Sequence, residues 1–290
     1  MAQGANDKVA LMVFDTLGTP EGAVLAARAA RKAKAAIILG PVFAREVPGV
    51  LAAVGGVVPV VSFSNDAALV DSGAFLFGIT ARQSVLAVLR YAQGRGVRRV
   101  AVASGAPGWG SQALNAALAA GPGLGLEVVQ LPVGGIAALG TVAAEQLPDA
   151  VLLTDAADLA RSAAPAAALG VQVLGAVQAL DLAPETLRAI DGAWLAALDP
   201  LGFAGFARAF EDRNGARPGT IAGLAYDAAA IVRQMRLGGG IDRSALLSAG
   251  GFKGVCGDVR FREDGSVARA LAVLAVTNGQ FRKVASGVMA

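Results

Sequence analysis

Histidine is absent from all 290 positions. That removes the imidazole general base, the Ser-His and Cys-His dyads and every histidine metal site from the mechanisms open to this chain. Cysteine occurs once, as Cys256, which excludes an intrachain disulfide and a thiolate metal cluster and fits either redox compartment. Charge is scarce: Asp, Glu, Lys and Arg make up 16% of the residues, against an ordinary share of about 25%. The 25 basic and 22 acidic residues leave a net charge of +3, and basic residues never run longer than a pair such as Arg98-Arg99. A nucleic-acid-binding stripe is therefore not written here. Long apolar runs are missing as well. Hydrophobic residues reach 55%, which rules out disorder, yet they are interrupted well short of the roughly 20 residues a membrane-spanning helix needs. The opening residues, Met1 to Asp7, show neither a basic n-region nor an apolar h-region, so the sequence reads as cytoplasmic or as the mature or trimmed form of an exported protein.

What is present is a rhythm of short Val/Ile/Leu runs alternating with longer Ala-rich segments, the pattern of buried parallel strands and crossover helices. Strands are expected at Val9–Phe14, Ala36–Leu39, Val58–Val61 and Ala74–Phe77, with helices at Glu21–Lys34 and Ala44–Val54. The rhythm restarts with a strand at Arg99–Ala103, a helix at Gly110–Ala120, and strands at Glu127–Leu131, Ala150–Leu153 and Val171–Leu174. After Pro200 it changes. Two helices, Gly202–Asn214 and Thr220–Met235, follow one another without a strand, and two terminal strands, Gly257–Arg262 and Ala270–Val276, are joined through the turn signal Asp264-Gly265. A prior of roughly 150 residues per domain makes two α/β units the expectation, and helices followed by distant strands imply a chain that crosses between them more than once.

Chemistry-bearing residues cluster just past the expected strands, where ligands of open α/β sheets bind. Gly105-Ala-Pro-Gly-Trp-Gly110 opens a helix, where backbone amides could hold an anion, but it lacks both the G-x-G-x-x-G spacing and a Walker lysine. Trp109 within it reads equally as a cap on the local core or as one wall of a ligand site. Ser64, Asn65 and Asp66 offer hydroxyl, amide and carboxylate groups, a set that an N-cap or Asx turn would also use. Thr19 before Pro20 and Glu21 reads as a helix N-cap; Asp15 stays open between turn and site. Paired carboxylates for acid–base work come down to Asp155 with Asp158 and Asp199 with Asp227, and helix-terminal placement accounts for the first pair as well. Cys256, in an apolar stretch without a basic neighbour, reads as a buried inert thiol.

Taken in order, Asp15-Thr-Leu-Gly-Thr-Pro-Glu-Gly22, Ile38-Leu-Gly-Pro41, Val58-Pro-Val-Val-Ser-Phe-Ser64, Gly108-Trp-Gly110, Tyr226-Asp-Ala228 and Gly251-Phe-Lys-Gly-Val255 through Val259-Arg-Phe-Arg-Glu-Asp-Gly265 resemble the type I periplasmic solute-binding proteins. The likeness is to the leucine/isoleucine/valine-binding group, and more closely to a bacterial branch labelled penicillin-binding-protein activators. It covers nearly the whole chain.

The resemblance implies an α/β fold of two lobes, each a mostly parallel sheet flanked by helices, joined by three crossovers. Lobe I would hold residues 1–80 and 199–254, and lobe II residues 81–198 and 255–290. It also implies that the family's first strand, loop and most of its first helix should precede Asp7, so that lobe I lacks a strand unless a partner supplies it. The expected function is non-catalytic, with lobes closing on a small polar ligand in the interlobe cleft and no cofactor or metal. The residues expected to line that cleft are Ser64, Asn65, Asp66, Trp109, Asp155 and Gln178. Partners would be an ABC permease or, for the activator branch with a degenerate cleft, a peptidoglycan synthase. Location would be periplasmic, with a signal peptide upstream and lipid anchoring left open. Two departures count against an α-amino acid ligand. The loop that should bring a serine reads Val42-Phe43-Ala44, and the loop that should bring an acidic partner for the ammonium reads Ala176-Val177-Gln178. An unpaired buried ammonium costs several kcal/mol.

Overall fold

The structure, a computed structural model, describes residues 9–103, 107–131, 135–176, 182–248 and 250–287. In chain order the elements are α1 (Pro20–Lys32), β1 (Ile38–Leu39), α2 (Val47–Val54), β2 (Val60–Ser62), β3 (Phe75–Leu76), α3 (Ala81–Gly94), β4 (Arg99–Val102), α4 (Trp109–Leu124), β5 (Glu127–Gln130), α5 (Ile136–Leu139), β6 (Ala150–Leu153), α6 (Ala156–Ala168), β7 (Gln172–Gly175), α7 (Pro184–Ala189), β8 (Trp194–Ala197), α8 (Pro200–Asn214), α9 (Thr220–Leu237), α10 (Arg243–Ser248), β9 (Val259–Phe261), β10 (Val267–Arg269), β11 (Ala272–Thr277) and β12 (Gln280–Ala285). They fall into two compact units, Met1–Ile79 with Gly202–Arg269, and Thr80–Leu201 with Ala270–Val288.

In the second unit a seven-stranded sheet runs in the order β12-β11-β8-β7-β6-β4-β5, parallel from β8 to β5 and antiparallel at β11 and β12. Alternation along each strand divides its side chains between two cores. Val151, Leu153, Val173 and Leu195 meet Leu159, Ala163 and Ala166 of α6 on one face. Val100, Val102, Leu152 and Leu174 meet Val85, Leu89, Ala113 and Ala117 of α3 and α4 on the other. Burial on both faces is why these strands read as continuous apolar runs rather than as alternating patterns. A Thr80/Gln83 capping box starts α3, satisfying two amides that would otherwise be buried without partners.

The first unit carries a three-stranded parallel sheet, β1-β2-β3. Helix α1 starts as its sequence predicts, with the Thr19 hydroxyl accepting from Gly22 N–H and Pro20 in the first turn. Its small buried residues Ala23 and Ala27 pack against Val47, Val50 and Val54 of α2 and against Val60 and Leu76 of the sheet. Helix α9 lies against β1, as expected for the helix pair after Pro200.

Several expectations need correction. Val9–Phe14 does not form a strand: among the described residues no backbone partner lies beside it, and an extended segment without a ladder is not a strand. The terminal strands do not pair with one another either. Val259–Phe261 pairs with the unforeseen β10, while Ala272–Thr277 joins the large sheet between β8 and the equally unforeseen β12. Residues 255–269, expected in the second lobe, lie with the first unit. The turn Glu263–Ser266 docks there on β3 through Leu76 N–H to Gly265 O (2.8 Å) and on the segment before it through Asp71 N–H to Asp264 O (2.8 Å). Phe261 then packs its ring 5.2 Å from Phe75 and 5.7 Å from Phe77.

A buried polar knot holds this unit together. Arg269 is fully buried and donates to Cys256 O (3.0 Å) and Phe77 O (2.7 Å), with its guanidinium over the Phe77 ring. Asp227, 1% exposed on α9, accepts from the amides of Val255 and Cys256, each at 2.8 Å. Burial pulls the arginine pKa down to about 10 and pushes that of Asp227 up, while the neighbouring charges and amides resist both shifts. Arginine remains charged at neutral pH, so methionine in its place strands two buried carbonyls. Arg269→Met is expected to cost about 3 kcal/mol in urea unfolding. Arg269→Lys should recover part of that loss, because it restores the charge without the two-pronged fork. Equal stability of all three proteins would refute the role assigned to the knot.

Candidate functional site

In the first unit the candidate residues sit past the carboxyl ends of β1 and β2, and hydrogen bonds tie the two loops together. The Ser62 hydroxyl donates to Pro41 O (2.9 Å), and Phe63 N–H donates to the same carbonyl (2.9 Å). Ser62 Oγ in turn accepts from Ser64 N–H (3.1 Å), and Ser64 Oγ accepts from Asp66 N–H (3.2 Å). Asp66 accepts from Ala68 N–H (3.0 Å) at the start of a short 3-10 turn. Beyond β3, Gly78 closes on this loop: a Cβ there would stand 2.3 Å from Ser64 O and 2.5 Å from Phe63 O, distances only glycine permits. Ser64 is buried and Asn65 exposed. The loop is thus a braced turn in which the serine and the aspartate serve the backbone and Asn65 is left facing water.

The neighbouring loop departs from hydroxyl chemistry altogether. Val42 and Phe43 are 39% and 46% exposed, and the Arg45 guanidinium covers the Phe43 ring at 4.9 Å while donating to Gly18 O (2.7 Å). Asp15 is a turn residue, accepting from Leu17 N–H (2.8 Å). Glu46, which the sequence reading passed over, is 1% exposed and accepts from the Thr16 hydroxyl at 3.4 Å. Its position immediately before the apolar run Val47–Val54 was the available signal.

In the second unit, Trp109 opens α4, half-buried, against the core formed by α3, α4 and the sheet. Its indole N–H donates to Ala176 O (2.7 Å) just past β7. The ring caps the core, one of the two roles expected of it, and its polar atom holds the loop after a parallel strand. Asp155 is exposed and caps α6, accepting from the amides of Ala157 (2.8 Å) and Asp158 (3.0 Å), while Asp158 pairs with Arg161. Gln178, Val177, Gly105 and Ala106 lie outside the described residues.

The structure brings Ser64, Asn65 and Asp66 together in one unit; Trp109 and Asp155 both belong to the other. Each member of the two candidate carboxylate pairs has a structural partner, Asp155 and Asp158 as described above. Asp199 receives Lys283 Nζ at 2.8 Å in the second unit, and Asp227 is part of the arginine knot in the first. Among the described residues no cluster of three acidic or cysteine side chains could hold a metal, and no helix is long and apolar enough to cross a membrane.

The sequence matches the family described as periplasmic binding protein over residues 2–280. The chain belongs to that family. Solved relatives share its fold at low identity. A leucine-binding protein from Thermotoga maritima is 21% identical, with 97% of this chain and 88% of that one covered and a TM-score of 0.65. An ABC transporter substrate-binding protein from Desulfitobacterium hafniense is 18% identical over 95% and 88%, with a TM-score of 0.72. A solute-binding protein of an ABC transporter from Rhodopseudomonas palustris, solved with 3,4-dihydroxybenzoic acid, is 16% identical over 98% and 87%, with a TM-score of 0.65. No curated protein sequence matches. A type I periplasmic-binding α/β architecture, mostly parallel sheets flanked by helices, is what this family membership and the two units have in common.

Within this periplasmic binding protein the cysteine is inert. Burial, with Asp227 beside it, pushes the Cys256 thiol up to about 12, so at pH 8 only about one part in ten thousand is thiolate. Cys256 should resist a thiol-specific disulfide reagent at pH 8 in the native protein and react at once in guanidinium. Stoichiometric labelling of the native chain within minutes would contradict this placement.

Proposed function

We propose that this chain is a non-catalytic, extracytoplasmic binding protein whose two lobes close on a small polar ligand and present it to an ABC permease. The observation that carries the reading is the braced 62–66 loop. Ser62, Ser64 and Gly78 immobilise it, and it leaves the exposed amide of Asn65 past the carboxyl end of a parallel strand. A polar group held rigid before binding loses little entropy on contact, which is how a few polar groups on an apolar surface orient a ligand. Ser64 and Asp66 brace that amide, Trp109 supplies an apolar wall, and Asp155 and Gln178 complete the polar set from the other lobe. The absence of histidine fits binding without catalysis.

Leucine is not the ligand we propose, although a relative binds it. The loop after β1 offers Val42 and an Arg45-covered Phe43 where a carboxylate-binding hydroxyl is needed. The same two observations, with the Ser64 and Trp109 polar atoms engaged internally, favour a second reading, a module of the activator type that docks on a peptidoglycan synthase through a cleft without ligand chemistry.

Thermal-shift screening against amino acids, aromatic carboxylates and small polyols separates the two. A true ligand at 100 times its dissociation constant stabilises by about 2.7 kcal/mol; branched-chain amino acids should give no shift. For a ligand found in this way, Trp109→Ala should weaken binding by about 1 to 3 kcal/mol, and Asn65→Ala should weaken it without lowering the melting temperature of the free protein. Stabilisation by leucine would overturn the ligand assignment, and silence across the panel would favour the activator reading.

A further inference from the structure

From Gly22 to Asn65 the chain carries five basic side chains and one acidic one. The acidic one, Glu46, is 1% exposed, whereas all five cations are exposed. Every charge this stretch shows to water is therefore positive, in a molecule whose 25 basic and 22 acidic residues are nearly balanced. Four of the cations, Arg28, Arg31, Lys32 and Lys34, lie within seven residues at the carboxyl end of α1, and none of them forms an ion pair among the described residues. Glu21, the acid of this helix, is in its first turn, at the opposite end. Arg31 and Lys32 complement the helix dipole from the last turn; Arg28, a turn earlier, and Lys34, past the end, have no such role. Apolar side chains stand among these charges. Leu25, 65% exposed, lies one turn before Arg28 on the stripe Leu25, Arg28, Ala29 and Lys32 that α1 turns away from its buried alanines. Val57, 73% exposed, belongs to the turn that begins at Gly55 after α2. Arg31 reaches towards that turn, donating to Ala53 O (3.3 Å), and a Cβ at Gly55 would stand 3.9 Å from its guanidinium. Helices α1 and α2 share one core over the sheet, so the cations and both apolar side chains belong to one helical layer.

We propose that the basic end of α1, together with Leu25 and Val57, docks the first unit on a bilayer surface rich in anionic phospholipid. Each Lys or Arg brought near such a surface raises affinity about fivefold, and a branched apolar side chain that enters the boundary between headgroups and acyl chains adds to this. The two ingredients together select the partner. The phosphates of a nucleic acid satisfy the cations and leave Leu25 and Val57 in water. A second copy of the chain covers the apolar side chains and sets like charges face to face. A headgroup layer with hydrocarbon beneath it satisfies both. Among the described residues no helix is long and apolar enough to span the bilayer, so contact of this kind is peripheral and reversible by salt. It uses neither Asn65 nor Trp109 and requires no ligand.

The test is co-sedimentation of the whole chain with vesicles of phosphatidylcholine containing about one third phosphatidylglycerol, against vesicles of phosphatidylcholine alone. Saturable binding to the first and none to the second is expected, and it should vanish in about 1 M salt, where the screening length falls to about 3 Å. Arg28→Gln with Lys32→Gln should weaken binding about twentyfold. The same loss of charge on α3 of the second unit, Arg82→Gln with Arg90→Gln, should leave it unchanged; all four positions are exposed. Leu25→Gln keeps the charge and should weaken binding several-fold. Equal effects of the two charge pairs would reduce the attraction to net charge and overturn the proposal. No saturable binding, or indifference to Leu25→Gln, would overturn it as well. Tighter binding to duplex DNA than to the anionic vesicles at the same salt would place a nucleic acid on this face and overturn the assignment to a bilayer.

Discussion

Every backbone amide and carbonyl taken from water needs a partner, and in a parallel sheet that partner can only be another strand. The second unit meets this requirement with seven strands in one continuous ladder, closed at one edge by the antiparallel pair β11 and β12. Helices then cover both of its faces, as a sheet without a wet side demands. The first unit meets it with the three-stranded parallel ladder β1-β2-β3.

Around that sheet the first unit is consolidated from below by charge rather than by area. Arg269, Asp227 and the Val255–Cys256 backbone form a buried knot whose members come from α9, from the loop before β9 and from the end of β10. One guanidinium reaches two carbonyls 192 and 13 residues away in sequence, holding the Phe77 strand end against the β9–β10 hairpin. A hydrophobic replacement of one member would leave the others unpaired, so the knot stands or falls as a set. Its location two residues before Ile79 and at the last residue before Ala270 puts it at two of the places where the chain passes from one unit to the other.

The candidate ligand-binding groups show how little of a polar side chain's role is visible in its identity. Ser64, Asp66, Asp155 and the Trp109 indole each have their polar atoms committed to backbone groups nearby. They shape loops, and Ser64 and Asp66 thereby set where Asn65 stands. Sequence reasoning weighed N-cap and Asx-turn roles against ligand contact for Ser64 and Asp66, and local hydrogen bonding explains why the two are hard to separate. The geometry that braces a loop uses the same short polar side chains that a ligand would.

By itself the sequence determined the two α/β units, the parallel character of their strands, the Thr19 cap on α1, the helix pair after Pro200 and the burial of Cys256. All of these follow from local spacing, capping chemistry and runs apolar enough to be covered on both faces. Only the tertiary structure decided that Val259–Phe261 pairs with Val267–Arg269 rather than with the strand after it, and that Arg269 and Asp227 share a buried knot. Strand pairing and charge burial depend on which neighbour arrives in space, and a neighbour some 190 residues away leaves no mark on the local pattern.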